Sequence, residues 1–150
     1  MEKIQDYWVE PFLTLIELCK IKPNESIIVL TETRSRELNV IILEQAIKKI
    51  GLEFNKIEIP SKPHLIDPII KSTGSSNILD GNNLYIKKLK ESDIIFDLTK
   101  EGLMHSKQTK EILSSGTRIM NISDEHPEIL SRLKPDIDLK DRVKEAVSQC

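Results

Sequence analysis

Two short apolar runs constrain the fold of this chain more than any other feature. Residues 26–30 read Ser-Ile-Ile-Val-Leu, and residues 94–98 read Ile-Ile-Phe-Asp-Leu. Runs of β-branched residues without polar alternation are typical of strands that are buried on both faces, as in parallel sheets. A polar turn and then a helical pattern follow each run. The sequence therefore predicts the strand–helix units of an α/β protein.

Strand and helix patterns alternate along the rest of the chain. The predicted strands are residues 26–30, 53–59, 94–98 and 117–122, and the predicted helices are residues 4–20, 35–50, 82–91, 106–116, 127–133 and 139–149. We therefore expect a single α/β domain over residues 1–150. Its core is predicted to be a doubly wound, Rossmann-like, mainly parallel four-stranded sheet with helices on both faces.

Several local features refine this prediction. Pro11 is expected to begin a second helical segment, because proline is tolerated best at the first position of a helix. Ser35 and Ser106 are expected to cap the helices that follow them. In the helix at residues 82–91, the side chains predicted to face inward are Leu84, Tyr85 and Leu89.

Residues 60–81 interrupt the alternation, with three prolines and two glycines. One short helix, at residues 67–71, is predicted inside this stretch. Long connections in compact domains are commonly lids, binding loops or disordered segments. Because the α/β pattern resumes afterwards, we do not expect a domain boundary here.

The composition excludes several classes of function. A net charge of −2 over 150 residues gives no reason to expect nucleic acid or an anionic membrane as a partner. No apolar run approaches the roughly 20 residues of a transmembrane helix, and the N-terminus has no signal-peptide pattern. The two cysteines have no metal-binding or redox spacing. A cytoplasmic location with free thiols is the expectation.

The familiar catalytic and cofactor motifs are absent from the sequence. It contains no dinucleotide-binding glycine fingerprint, no P-loop, no nucleophile elbow, no H-E-x-x-H and no C-x-x-C. No residue of this chain is therefore assigned as a metal ligand.

The candidate site is the set of polar turns that follow the predicted strands. The carboxyl ends of parallel strands meet at one edge of the sheet, where ligands of α/β proteins bind. Its candidate catalytic residue is His105, which could act as a general base or bond a ligand. A turn histidine bonded to a backbone carbonyl is the alternative. The candidate substrate-binding residues are Met104, Thr99, Glu101, Thr31 and Glu32. His126 is expected to cap a helix or lie in solvent rather than to bind a metal.

Two segments carry a resemblance to a known family. Residues 97–106 fit the pattern D-L-T-x-E-G-L-x-H-S, and residues 123–133 fit S-x-E-H-P-E-x-L-x-R-L. They resemble the amino-terminal half of proteins related to 2,5-dihydroxypyridine 5,6-dioxygenase, which share an architecture with the thermophilic metallo-aminopeptidases. The resemblance implies a longer two-domain protein, of which residues 1–150 would be the N-terminal domain. It also implies that His105 lies near the substrate, with Met104 lining the pocket.

Three functional hypotheses stay open, of which the first two follow from the resemblance. The first is the substrate-pocket and oligomerisation domain of a metal-dependent dioxygenase that cleaves an aromatic ring. The resemblance places Fe(II) or another divalent metal in the missing C-terminal half, so that this chain alone would be inactive. The second is the corresponding domain of a metallo-aminopeptidase, and the third is a non-catalytic binding or assembly domain. The expected partners are a small N-heteroaromatic molecule or a peptide N-terminus, and further copies of the same chain.

Overall fold

The computed structural model describes residues 2–63, 73–133 and 138–149. Its helices and strands alternate as the sequence predicts, so the α/β fold class is confirmed. In chain order they are α1 Asp6–Leu18, β1 Ile27–Glu32, α2 Glu37–Lys49, β2 Asn55–Ile59, α3 Asn83–Lys90, β3 Ile94–Asp97, α4 Thr109–Ser114, β4 Arg118–Asn121, α5 Pro127–Arg132 and α6 Leu139–Ser148.

The strands form a parallel sheet in the order β2-β1-β3-β4. Leu30 of β1 lies opposite Asp97 of β3, and Asp97 lies opposite Asn121 of β4. After β1 the chain moves outward to β2 and then returns to the other side of β1. The carboxyl ends of β1 and β3 therefore flank the topological switch point, where open α/β sheets bind their ligands.

Two apolar clusters cover the two faces of the sheet. One joins α1 and α2 to β1 and β3, with Phe12, Ile42 and Phe96 fully buried. The other joins α3 and α4 to the opposite face and includes two residues from the end of the long connection, Ile78 and Leu79. Because this end of the connection is anchored in the core, at least its residues 76–79 are not a loose linker.

Helix α1 corrects the prediction made for Pro11. The helix runs through Pro11 without a break. Proline lacks the N–H that would bond the carbonyl of Tyr7, so one helical hydrogen bond is lost. Trp8, Pro11 and Phe12 are nevertheless buried, and their burial stabilises the continuous helix by several kcal/mol, at about 1.5–3 kcal/mol for each large side chain.

Two other predictions were wrong at the ends of elements. Strand β1 extends through Thr31 and Glu32, because its pairing with β2 continues to the pair Glu32–Ile59. In α3 the predicted inward face is confirmed for Leu89, which is buried, and wrong for Leu84, which is 65% exposed. Tyr85 is half-buried against the core, and Ile86, which the prediction left out, is buried.

Neither predicted serine cap is present. Helix α2 begins at Glu37 after the N-cap residue Arg36, and α4 begins at Thr109 after Gln108. The hydroxyls of Ser35 and Ser106 bond to distant backbone carbonyls instead, as described below.

Some predicted features lie outside the described residues. They are the short helix at residues 67–71, together with His64 and Cys150. In the part of the chain that is described, no helix combines the length and the apolar character needed to cross a membrane.

Candidate functional site

Glu32 and Ser35 join the loops that follow β1 and β3. One carboxylate oxygen of Glu32 accepts the backbone N–H of Lys100 at 2.6 Å, and the other accepts the Ser61 hydroxyl at 2.6 Å. The Ser35 hydroxyl donates to the carbonyl of Leu98 at 2.7 Å and accepts the N–H of Glu32 at 2.8 Å. The loops after β1 and β3, which flank the switch point, are therefore fastened to each other by partly buried hydrogen bonds.

Asp97, at the end of β3, organises the loop that carries His105. Its Oδ1 accepts the N–H of Thr99 at 3.0 Å and the Thr99 hydroxyl at 2.6 Å. Its Oδ2 accepts the N–H of Leu103 at 2.7 Å and the side-chain amide of Asn121 at 2.6 Å. Burial raises the pKa of Asp97, and these four hydrogen bonds oppose that rise. One buried carboxyl group thus fixes both ends of the turn at residues 99–103.

Residues 73–76, which we call the strap, lie against the outer side of this loop. The N–H of Gly74 donates to the carbonyl of Glu101 at 2.8 Å, and the carbonyl of Gly74 accepts the N–H of His105 at 2.6 Å. The N–H of Ser76 donates to Gly102 at 2.9 Å, and the Ser106 hydroxyl donates to the carbonyl of Ser76 at 2.7 Å. The loop at residues 101–106 is therefore held between Asp97 on one side and the strap on the other.

Met104 and His105 project from this ordered loop into solvent. Met104 is 62% exposed, and His105 is exposed as well. Together with Thr109, Lys110 and Leu113 they line a shallow depression of about 580 Å³. An exposed imidazole on a backbone held from both sides can meet a ligand in a defined position.

The other predicted substrate-binding residues have different surroundings. Thr31 and Thr99 are buried, and their hydroxyls bond to the carbonyl of Ile57 and to Asp97. Glu32 is buried with both carboxylate oxygens bonded, and Glu101 is half-buried. Thr99, Glu101, Met104 and His105 share one loop, and Glu32 reaches that loop through Lys100.

The turn after β4 is tied to the same edge of the sheet. The Lys100 ammonium pairs with Asp124, which also lies 4.0 Å from the Arg36 guanidinium. The Asn39 side chain donates to the carbonyl of Glu125 at 2.8 Å. These contacts join the loops after β1, β3 and β4 into one surface.

His126 caps α5, which is one of the two roles predicted for it. Its Nδ1 accepts the N–H of Glu128 at 3.1 Å, and its Nε2 lies 3.1 Å from a carboxylate oxygen of Glu2. Within residues 2–63, 73–133 and 138–149, no three His, Cys, Asp or Glu side chains lie together in an arrangement that could hold a metal ion.

Sequence reasoning missed the residues that order the His105 loop. The sequence pattern places Asp97 and Asn121 in predicted strands and Gly74 in the long connection, and it does not indicate that they order this loop. The sequence feature that points to this arrangement is the presence of glycine at positions 74 and 102. Glycine adopts positive φ angles readily, and Gly74 and Gly102 have φ angles of +72° and +84°.

The comparisons with known proteins agree on one family. The family model described as 2,5-dihydroxypyridine 5,6-dioxygenase matches residues 7–150. A protein of that name from Pseudomonas putida KT2440 is 27% identical over 134 residues, which are 88% of this chain and 37% of the relative.

A solved structure of 2,5-dihydroxypyridine dioxygenase from Pseudomonas putida KT2440 superposes with a TM-score of 0.80 at 26% identity. The match covers 96% of this chain and 42% of that one. This chain therefore spans about two fifths of the length of the proteins that it matches. The resemblance read from the motifs is confirmed: the chain belongs to the 2,5-dihydroxypyridine 5,6-dioxygenase family.

Proposed function

We propose that this chain is the N-terminal, substrate-pocket domain of a metal-dependent enzyme that cleaves the ring of a dihydroxypyridine or a similar N-heteroaromatic molecule. The observation that carries the proposal is the family match over residues 7–150. Both the similar protein and the similar structure bear the name of a dioxygenase rather than of an aminopeptidase, so we propose ring cleavage.

In this proposal His105 is the catalytic residue of the domain. It supplies an acid/base group or a hydrogen bond to the substrate, and Met104 lines the pocket beside it. Support comes from the geometry of the loop, because the backbone of His105 is bonded to the strap while its side chain is exposed. General acid–base catalysis requires a titratable group at a fixed distance from the substrate, and this loop provides such a group.

The remaining predicted residues shape the pocket in this proposal. Glu101 lies on the His105 loop and is half-buried, so its side chain can still reach a ligand. Thr31, Glu32 and Thr99 contribute through the hydrogen bonds that hold the loops at the edge of the sheet.

The metal that the resemblance implies does not fit the described residues. No three suitable donors cluster among them, and the imidazole of His126 is engaged with Glu2 and with the backbone of α5. We therefore propose that Fe(II) or another divalent metal is bound by a further part of the protein, and we assign no catalytic step to a metal ligand of this chain.

Oxygen uptake by the full-length gene product tests the proposed activity. We expect 2,5-dihydroxypyridine to trigger oxygen consumption, a chelator of divalent metals to abolish it, and added Fe(II) to restore it. No oxygen uptake from an Fe(II)-loaded, folded protein with any hydroxypyridine would refute the proposed reaction.

We also propose that the domain takes part in assembly between copies of the chain. Support comes from α6, where Val143 and Val147 lie one turn apart and are 52% and 70% exposed. Val147→Glu should lower the mass measured by light scattering, whereas the neighbouring exposed change Ser148→Glu should not. An unchanged mass for Val147→Glu would contradict this role for α6.

A further inference from the structure

We propose that Gly74 of the strap is a positioning residue that sets the location of the His105 imidazole. The effect that we expect on catalysis rests on the function proposed for His105. The packing of Gly74 against the imidazole does not depend on that function. Gly74 belongs to the long connection between β2 and α3, about 30 residues before His105. No sequence motif links the two residues.

Gly74 contacts both the backbone and the side chain of His105. Its carbonyl accepts the N–H of His105 at 2.6 Å. A Cβ atom placed on Gly74 would lie 3.2 Å from Cδ2 of the imidazole, 3.9 Å from its Cγ and 3.3 Å from Cβ of Met104. The ring therefore packs over the face of Gly74 where any other residue would carry its side chain.

The position of Gly74 is itself fixed by the core. Ser76 bonds to Gly102 and Ser106, and Ile78 and Leu79, two and three residues later, are buried. Gly74 is thus a rigid support under an exposed ring. Its φ of +72° is one that only glycine adopts readily, so the close contact and the backbone conformation both select glycine.

Gly81 provides a matched control. Its φ of +76° imposes the same backbone penalty on alanine, but among the described residues no atom beyond its two chain neighbours lies within 4 Å of its Cβ position. Gly74→Ala and Gly81→Ala therefore carry the same backbone strain. Only Gly74→Ala also places a methyl group against the imidazole of His105.

The first measurement is the NMR signal of the imidazole Cδ2–H of His105. The chain has only three histidines, so the signal can be assigned with one substitution. We expect Gly74→Ala to shift this signal and Gly81→Ala to leave it unchanged. An unshifted signal in folded Gly74→Ala would overturn the proposal. If Gly74→Ala does not fold, Ser106→Ala removes the side-chain hydrogen bond between the loop and the strap without adding a side chain, and it must shift the same signal.

The second measurement is turnover by the full-length gene product. We expect Gly74→Ala to lower kcat by about 10- to 100-fold with little change in KM, because a catalytic group displaced by less than 1 Å loses much of its effect. Gly81→Ala should keep wild-type turnover. If both His105→Ala and Gly74→Ala keep full turnover while the NMR signal moves, the function proposed for His105 fails but the packing role of Gly74 stands. If His105→Ala is inactive and Gly74→Ala is fully active, the positioning role in catalysis is refuted.

Discussion

The side-chain amide of Asn121 donates a 2.6 Å hydrogen bond to Oδ2 of Asp97, and the two residues are register partners on the neighbouring strands β4 and β3. The same carboxyl group accepts bonds from Thr99 and Leu103. The side chains of Asp97 and Asn121 thereby extend the hydrogen bonding between the two strands into the loop that carries His105. This relationship makes the stability of the loop depend on the buried Asp97 and on a half-buried residue of the neighbouring strand.

Replacing Asp97 with asparagine should destabilise the protein by about 3 kcal/mol. The substitution keeps the shape of the side chain but turns one acceptor oxygen into a donor, which faces N–H groups and leaves them unsatisfied. Urea unfolding followed by circular dichroism measures the change. Asp141→Asn on the exposed face of α6 should change the free energy of unfolding by less than about 0.5 kcal/mol. Equal effects of the two substitutions would contradict the role given to Asp97.

Gly102→Ala should destabilise the protein by about 3 kcal/mol as well. A Cβ at Gly102 would lie 2.5 Å from Nδ2 of Asn121, and the φ of Gly102 is +84°. The substitution combines the backbone penalty of the left-handed region with a steric clash. Gly51→Ala is the control, since Gly51 has a φ of +79° and, in the part of the chain that is described, no atom beyond its chain neighbours lies within 4 Å of its Cβ position. Gly51→Ala should lower the free energy of unfolding by only about 1 kcal/mol. If Gly102→Ala lowers it by no more than this, the clash with Asn121 is relieved and the prediction is wrong.

Glu32→Gln should lower the free energy of unfolding, because it weakens the link between the loops after β1 and β3. Both carboxylate oxygens accept hydrogen bonds from the protein, one from Lys100 and one from Ser61. An amide nitrogen cannot accept, so one donor is left without its partner at a cost of about 2 kcal/mol. The free energy of unfolding without substrate measures this loss. Glu58→Gln, at an exposed position of β2, should have almost no effect. Equal stability of both variants would contradict the fastening role of Glu32.

The contact between Tyr7 and Glu128 should make stability depend on pH at both ends of the scale. The Tyr7 hydroxyl donates to Glu128 at 2.6 Å, and the Trp8 indole donates to the same oxygen at 2.7 Å. The hydrogen bond from Tyr7 lowers the pKa of Glu128 from 4.5, and the same bond raises the pKa of Tyr7 from 10.0. A depressed carboxyl pKa stabilises the fold above pH 4.5, and this contribution is lost as the pH falls through the lowered pKa. A raised phenol pKa stabilises it below pH 10, and that contribution is lost as the pH rises further.

Tyr7→Phe isolates this dependence. The Tm difference between the wild-type protein and Tyr7→Phe should be largest between about pH 5 and pH 9 and should shrink toward both extremes. Melting curves across the pH range measure it. A difference that does not vary with pH would show that the hydrogen bond contributes no proton linkage.

The sequence was informative where one short segment determines the structure. The apolar runs around Val29 and Phe96 predicted buried parallel strands, because a strand covered on both faces needs apolar residues on both. The motif around His105 predicted the family. What the sequence could not reveal depends on partners far apart in the chain. Ser35 and Ser106 look like helix caps locally, yet their hydroxyls bond to Leu98 and Ser76.

The strap is a second feature whose partner the sequence could not reveal. It is held to the His105 loop mainly by backbone groups, which every residue type except proline can supply. Its sequence, Thr-Gly-Ser-Ser, therefore gave no indication of its partner. The strand order, which places β1 beside β3, depends likewise on the packing of the whole sheet.

The most direct test of the account is turnover of 2,5-dihydroxypyridine by the full-length gene product carrying His105→Ala, beside Lys107→Ala as a control at an exposed position of the following turn. The account predicts that His105→Ala lowers kcat by at least about 100-fold, the usual contribution of a general acid or base, while Lys107→Ala stays within about twofold of the wild type. Wild-type turnover by a folded His105→Ala protein would contradict the central claim.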